Sequence, residues 1–380
     1  MLAFLLFALF FSLVYYMHFH AAIHTWKKLK GKKSDEVDTG YVRLEDYFGQ
    51  SFRSKLRGWL RQPQSLNTGA SMRVIDKGGE KIFIANEANY PDSHGETEIL
   101  VVEGDFTCGA NCIFGKELFV RHDCVVGHSS ELQALAVDGM ARLNPGTKVR
   151  RWVDASGFLD IRGNCRILSR ATSRSSIRFG PGAQAKSLFA PEVITQGRRE
   201  DISAWAVNEG LVLELPALAT ANVIGGFDSS KMIAMGGDCY RYEGNLKLDA
   251  AVHLTKPLIV RGDFHCARES FIEADVKASG SIFIGDGSLV KSNLVAQGTL
   301  TLGRGVFFQG ILRSGGVMRL RHGVRGLREG IPVAAYADGP LLVESNCVIN
   351  GKLSSAQYVR AVATPMDWFE TENLKLVSGS

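Results

Sequence analysis

The chain has 380 residues, 45% of them hydrophobic and 22% charged, and is long enough for two or more domains. Its seven cysteines are odd in number and scattered, so they argue against a disulfide framework and favour a reducing compartment. The formal net charge of +5 arises between Lys27 and Arg61, so residues 62–380 are formally neutral and give no reason to expect a nucleic-acid partner.

The first element is an apolar run from Met1 to Ile23, and residues 1–26 contain no Lys, Arg, Asp or Glu. About 20 apolar residues span the core of a bilayer. Positive charges follow this run instead of preceding it, which favours an anchor over a cleaved signal peptide. We expect a single transmembrane helix over residues 1–26, with the N-terminus outside and the body in the cytoplasm, because basic flanks stay cytoplasmic. The predicted membrane-flanking residues are Trp26, Lys27, Lys28, Lys30, Lys32 and Lys33.

Residues 27–97 are predicted to form a basic juxtamembrane segment and a cap. Large apolar residues recur there at helical spacing, and they are Leu44, Phe48, Phe52, Leu56, Trp59 and Leu60. Arg53, Lys55 and Arg57 stand between them. Such a helix fits the anionic face of a membrane. It fits equally well as the cover over the first turn of a solenoid, and the residues leave both interpretations open.

A first repetitive tract covers residues 98–190. Its turns begin at Val102, Val120, Val137, Ala155 and Ser173, with one 17-residue step among 18-residue ones. Alternating apolar pairs follow each start, as in Leu159 and Ile161. An irregular connecting segment, residues 191–241, separates this tract from a second one.

The second tract, residues 242–331, has the clearest repeat. Glycine recurs every 18 residues, at Gly244, Gly262, Gly280, Gly298 and Gly316. Apolar residues stand two and four places after each glycine, and they form the predicted inward ladder of Leu246, Phe264, Ile282, Leu300, Met318, Leu248, Cys266, Ile284, Leu302 and Leu320. We expect the glycines to form the turns between faces, because glycine adopts positive φ readily.

This repeat predicts a parallel β-helix of about 18 residues per turn. A fixed period in this range is typical of a solenoid, and the alternation of apolar residues is the two-residue period of strands. The fold class is therefore all-β, preceded by the transmembrane helix. Residues 332–380 contain one further turn-like piece, Leu341–Val348, and a tail.

Few residues suggest chemistry. Cys108, Cys112, His122 and Cys124 lack the tight spacing of a zinc site, and two of these cysteines occupy inward ladder positions. The histidines His122, His128, His253, His265 and His322 have no carboxylate at a motif spacing. The carboxylates of Asp263, Asp275 and Asp286 fall at different positions of the turn, and Gly285–Gly287 is read as a turn. We therefore predict no catalytic, cofactor-binding or metal site.

The run from Ser279 to Gly305 resembles the bactofilins, a family of polymer-forming bacterial cytoskeletal proteins. The resemblance covers residues 242–331 well and 98–190 more loosely, and it rests on repeat positions. It implies a right-handed β-helix, polymerisation without nucleotide, association with the membrane and a scaffolding role for cell-envelope enzymes. This chain differs by its two tracts, its transmembrane anchor and its C-terminal extension.

From these observations we predict a non-enzymatic, bactofilin-like scaffold in the bacterial inner membrane. Its expected partners are further copies of itself, the membrane and cell-envelope proteins, with no nucleic acid. Self-association is expected through the ends of the β-helix, because a terminal turn presents unpaired backbone groups. The alternative is a β-helical enzyme acting on sugars or on acyl or sugar derivatives, which a groove of carboxylates or a histidine facing a subunit cleft would favour.

Overall fold

Short strands stacked mostly in parallel, together with the turns that connect them, make up nearly all of the described chain. The computed structural model describes residues 45–60, 66–68, 72–77, 79–195, 229–236 and 238–362. They form a mostly-sheet parallel β-solenoid of about 14 turns, with an 18-residue step between most paired strands. The predicted solenoid fold is confirmed. At about 4.8 Å per turn the stack is roughly 65 Å long.

The predicted transmembrane segment and its flanking residues, Trp26 to Lys33, lie outside the described residues. Among the residues that are described, no helix is long and apolar enough to cross a membrane. The chain divides into two compact units, Met1–Tyr47 and Phe48–Ser380, and the solenoid belongs to the second.

The described residues up to Thr195 form one helix and 17 strands. The helix is α1 (Tyr47–Leu60). The strands are β1 (Leu66–Thr68), β2 (Met72–Lys77), β3 (Glu80–Ala85), β4 (Ala88–Tyr90), β5 (Gly95–Glu96), β6 (Ile99–Val102), β7 (Phe106–Cys108), β8 (Ile113–Val120), β9 (Cys124–Val126), β10 (Glu131–Val137), β11 (Ala141–Leu143), β12 (Lys148–Val149), β13 (Val153–Ala155), β14 (Leu159–Ile161), β15 (Arg166–Ser173), β16 (Ser176–Phe179) and β17 (Gln184–Thr195).

The second tract follows a short 3₁₀ turn, Ser229–Lys231. Its strands are β18 (Met232–Met235), β19 (Cys239–Tyr242), β20 (Leu246–Leu248), β21 (His253–Leu254), β22 (Leu258–Val260), β23 (Phe264–Cys266), β24 (Phe271–Ile272), β25 (Val276–Ala278), β26 (Ile282–Ile284), β27 (Leu289–Val290), β28 (Leu294–Ala296), β29 (Leu300–Leu302), β30 (Phe307–Phe308), β31 (Ile311–Ser314), β32 (Met318–Leu320), β33 (Arg325–Gly326), β34 (Val333–Ala337), β35 (Leu341–Val343) and β36 (Val348–Ala361).

Each turn visits three faces, which we call A, B and C. In the first turn these are β3, β4 and β5, and in the first turn of the second tract they are β19, β20 and β21. The first tract thus begins at Glu80, earlier than residue 98. The second tract runs on to Ala361, beyond the predicted limit of residue 331. A longer step, from Leu312 to Ala335, displaces its last turns from the 18-residue register, and for this reason the repeat did not predict them.

The ten predicted ladder residues all lie in the core, each with at most 2% of its surface exposed. They stack in register, as Phe264, Ile282 and Leu300 do on face B. One cluster of buried side chains contains residues of both tracts, so the core is continuous along the stack. A single turn could not bury its inner face, and neighbouring turns therefore share this core.

The prediction that the five repeat glycines adopt positive φ is wrong for four of them. Of the five, only Gly244 has a positive φ, +101°. At Gly280 an added Cβ would lie 2.9 Å from the backbone of Gly262, so this series allows turns to approach closely. Positive φ recurs at a different corner, between faces B and C, where the residues are Ala251, Glu269, Gly287, Gly305, Gly323 and Asn346.

The two tracts meet through their last strands. Strand β17 pairs with β36 in antiparallel orientation, with Gln184 opposite Arg360, Leu188 opposite Leu353 and Ile194 opposite Val348. The start of each strand therefore faces the end of the other, as in a two-fold contact between equivalent surfaces. We call this pairing the junction. Both outer ends of the stack are consequently N-terminal turns, one from each tract.

Helix α1 lies along the outside of face A of the first tract. Phe52 and Leu56 pack on outward side chains of successive turns, including Val101, Phe119 and Trp152. The ring of Phe48 lies 4.7 Å from the guanidinium of Arg170 in β15. A 14-residue helix is about 21 Å long, so α1 crosses roughly four turns parallel to the stack.

Candidate functional site

Three places could carry function in a stack of this kind: the junction, the outer end of each tract, and any cluster of chemical side chains on the faces. The rest of each face consists of repeated strands whose inward side chains are buried in the core.

The three cysteines that the sequence singled out are core residues. Cys108, Cys112 and Cys124 are buried, and burial raises the pKa of the Cys108 thiol to about 11. Such thiols stay protonated at neutral pH and are poor nucleophiles and poor metal ligands. In the part of the chain that the structure describes, no three His, Cys, Asp or Glu side chains come close enough together to hold a metal ion.

The three aspartates that the sequence singled out, Asp263, Asp275 and Asp286, are backbone acceptors. Asp263 Oδ1 accepts the N–H of Ser281 at 2.7 Å, one turn further on. Asp286 Oδ1 accepts the N–H of Arg304 in the same way, also at 2.7 Å. Because these groups bond neighbouring turns at different corners, they do not form a catalytic carboxylate pair.

His253 has the carboxylate partner that sequence spacing did not show. Its Nε2 lies 3.0 Å from Glu273 Oε2, and its ring stacks on Phe271 with centroids 4.6 Å apart. The interval is 20 residues, one turn plus two, so it becomes a contact only when the turns stack. The hydrogen bond from His253 lowers the pKa of Glu273, helped by Lys291.

His322 and Ser345 form a second polar pair, close to the junction. His322 Nδ1 lies 3.0 Å from Ser345 Oγ, and Glu344 accepts the backbone N–H of His322 at 2.9 Å. The carboxylate therefore holds the backbone, and no described carboxylate orients the imidazole ring as an activated serine requires. Ser345 is 7% exposed. This pair fits a structural hydrogen bond.

At the junction itself the polar groups are satisfied. Thr195 Oγ1 donates to Glu344 O at 2.6 Å and accepts the N–H of Cys347 at 3.0 Å. Burial raises the pKa of the Cys347 thiol to about 12. These contacts and the antiparallel ladder cover the last turn of both tracts, so the described part of the junction offers no free strand edge for another molecule.

The outer end of the first tract is filled by aromatic rings. Tyr90 stacks on His94 at 4.1 Å, and Phe114 meets both Tyr90 and Phe106, at 5.9 Å and 5.4 Å. Strands β1 and β2 extend face A beyond β3 by antiparallel pairing. The interior of this first turn is therefore closed by its own side chains.

The outer end of the second tract contains a cavity of about 240 Å³. Its lining is mostly apolar, with Met232, Tyr240, Leu246, Leu248 and Leu254. His253 and Lys256 also line it, and Lys256 Nζ lies 2.6 Å from Asp238. Strand β18 extends face A by pairing with β19. On the outward side of β20 and β21 no described strand pairs with them.

The flank beneath α1 holds a buried ion pair. Arg53, 6% exposed, bonds to the carboxylate of Asp154, to Asp138 Oδ1 at 2.6 Å and to Val137 O at 2.7 Å. Burial alone lowers the pKa of Arg53, but attraction to Asp154 reverses this and raises it. The guanidinium thus stays charged and fixes α1 on face A.

Sequence reasoning missed the surface on which α1 lies, although its signal was present. Outward positions of face A are apolar in the first tract, as Ile99, Val101 and Phe119 show, and all three are buried. The corresponding outward residues of the second tract include Lys277 and Arg313, and no described helix covers them.

Comparisons of this chain with protein-family models, with curated proteins and with solved structures returned no match.

Proposed function

We propose that this protein is a membrane-anchored, non-enzymatic scaffold, similar to a bactofilin, whose rods associate through their outer ends. The observation that carries the proposal is the strand edges at the outer ends of the stack, β4 and β5 at one end and β20 and β21 at the other, whose outward sides no described strand pairs with. Unpaired edges are templates for pairing with another chain. A stiff rod with adhesive ends is suited to holding bound proteins at fixed distances.

The membrane part of the proposal rests on the N-terminal sequence. The uncharged residues 1–26 and the lysines that follow support a single anchor, with the rod in the bacterial cytoplasm next to the inner membrane. Cell-envelope proteins are the proposed clients. We also propose a right-handed coil, because parallel strands joined by crossovers are nearly always right-handed.

Sedimentation of the full chain in detergent micelles, without nucleotide or metal, tests the association. The expected result is a species larger than one chain that persists at moderate salt, since strand pairing and apolar contact are screened less than surface ion pairs. A strictly monomeric chain at high concentration would contradict the scaffold. A C-terminal reporter that works only in the cytoplasm tests the orientation, and activity of a periplasm-dependent phosphatase fusion would reverse it.

One observation favours the enzymatic alternative. His253, held by Glu273, lines the apolar cavity at the outer end of the second tract, which is the arrangement of a general base beside an acyl-binding pocket. Hydrolysis or transfer of an activated acyl ester by the full chain, abolished by His253→Gln and preserved in Lys277→Gln, would support this function. Equal rates for the wild type and His253→Gln would remove it.

A further inference from the structure

The two outer ends occupy equivalent positions in their tracts but are filled differently. Near these ends, each residue of the second tract lies 158 positions after its counterpart in the first tract, as Cys266 lies after Cys108. By this relation Tyr90 and His94 correspond to Leu248 and Val252. Aromatic rings therefore close the first end, whereas smaller aliphatic side chains leave the cavity of about 240 Å³ at the second.

The second end is also stepped. Strand β18 projects one strand beyond β19 on face A, while β20 and β21 have no described strand beyond them on faces B and C. On β18, Met232 lies opposite Tyr242 and packs against the core, and Ile233 and Met235 are exposed on the other side. The end thus combines one projecting edge, two recessed edges and an open apolar interior.

We infer that the second-tract end is a self-complementary interface that binds the same end of a second copy, giving a closed dimer of two rods. This inference rests on the proposed end-to-end association and names the surface. Under a two-fold rotation perpendicular to the rod, the projecting β18 of each copy lies against a recessed edge, β20 or β21, of the other. The inward Met232 of each copy then extends the core of its partner and closes the cavity.

A second copy is the occupant that the molecule itself supports. The junction already joins two equivalent end surfaces of this solenoid by antiparallel two-fold pairing. The charged rim of the second end is mixed in sign, since Lys256 pairs with Asp238 and His253 with Glu273, so two identical rims do not repel each other. An apolar cavity with strand edges on its rim also matches another solenoid end better than it matches a polar ligand.

The first-tract end does not fit this surface. Two described strands, β1 and β2, project there on face A, against one described strand at the second end. A contact between unlike ends would therefore leave the two faces bridged by projecting strands at levels that differ by about 4.8 Å, whereas these two faces are level in the contact between like ends. Because the first end is also filled by its aromatic rings, assembly through second ends stops at two copies and does not extend to a filament.

Two variants test the interface by different routes. The N–H of Ala234 points away from β19, because Glu243 N donates to Lys231 O and ladder bonds alternate along the strand. Ala234→Pro therefore removes an outward donor while keeping the β18–β19 hairpin, and Ala234→Thr is the matched control that keeps the donor. The double variant Leu248→Tyr with Val252→His places the residues of the first end in the cavity of the second.

The experiment is sedimentation of the full chain in detergent micelles, with circular dichroism to verify folding. We expect two-copy particles for the wild type and Ala234→Thr, and dissociation constants raised roughly tenfold or more in both Ala234→Pro and the double variant. A monomeric wild type would overturn the proposed association together with this inference. Larger assemblies, or folded variants that assemble as the wild type does, would overturn the inference alone and leave end association through another surface.

Discussion

Individual side chains in this stack act mainly on the turns before and after their own. Asn245 Oδ1 accepts the N–H of Asp263 at 2.8 Å, Asp263 Oδ1 accepts that of Ser281, and Ser281 Oγ accepts that of Thr299 at 3.2 Å. Such ladders give polar residues a structural role at every turn. A residue type that looks chemical in the sequence can therefore be part of the architecture.

Leu300→Asp tests the inward ladder at this scale. Leu300 has no exposed surface, so the variant would bury an unpaired carboxylate at a cost of several kcal/mol. Because neighbouring turns share the core, we expect hydrogen exchange to accelerate in the turns on both sides. Lys277→Gln, at an exposed position, should change the free energy of unfolding by less than about 0.5 kcal/mol. Unfolding of Leu300→Asp at the wild-type midpoint would contradict the core assignment.

His265 should make stability depend on pH. Its burial, together with the nearby charge of Lys247, lowers its pKa, and its ring stacks on Phe283 at 4.7 Å. The unfolded chain has a histidine pKa of about 6.5, so it takes up a proton first as the pH falls. The free energy of unfolding should therefore decrease below about pH 6.5. Denaturant titrations should show a smaller decrease for His265→Gln, and an equal slope would contradict the predicted coupling.

At the scale of elements, the helix and the face it covers form one unit. The apolar side of α1 is used on face A of the first tract, and Arg53 joins it to two carboxylates there. The helix is therefore packed on the side of the folded rod. Its position also explains why Gly49 is a glycine, because a side chain at that position would collide with Asp154.

Arg53→Ala should destabilise the first tract more than the loss of a surface charge does. It leaves Asp154, which is 2% exposed, without its cation, and removing one partner of a buried pair costs about 3–5 kcal/mol. Hydrogen exchange should show that the backbone amides of α1, and those of β6 and β8 beneath it, lose protection. Arg57→Ala on the exposed side of the same helix is the matched control, and equal effects of the two variants would contradict the buried-pair assignment.

At the scale of the whole molecule, the junction makes two tracts into one rod and brings like charges together. Residues 79–139 contain 11 acidic and 3 basic residues, whereas residues 140–195 contain 3 acidic and 10 basic ones. Residues 301–362, on the other side of the junction, contain 3 acidic and 8 basic residues. The formally neutral body is thus acidic towards its first end and basic in its middle.

A chain ending at Thr195 tests the junction. Truncation there would free the edge of β17, whose partner β36 is its counterpart in the second tract. Since the pairing is two-fold, we expect β17 of two truncated chains to pair with each other and form a dimer. The same truncation carrying Leu188→Lys should remain monomeric, because Leu188 lies in the shared core. Sedimentation of the two truncated proteins measures this, and a monomeric parent truncation would contradict the symmetric pairing.

The charge distribution predicts association that depends on salt. At low ionic strength the acidic segment of one rod should attract the basic middle of another, since the screening length is about 30 Å at 0.01 M and about 8 Å at 0.15 M. Light scattering from the full chain in micelles should rise at low salt and fall near physiological salt, leaving only the end contact. Scattering that does not change with salt would contradict this lateral attraction.

The sequence by itself determined the repeat, its strand period and the inward ladder, because a solenoid turn is defined by spacing along the chain and each turn contacts only its neighbours. Leu300 and Leu302 could be placed from their positions alone. The tertiary structure decided the antiparallel junction, the pairing of His253 with Glu273, the position of α1 on face A and the corner of positive φ. The first three join residues whose separation is not a whole number of repeats, and the last depends on backbone geometry, so no periodicity along the chain could show them.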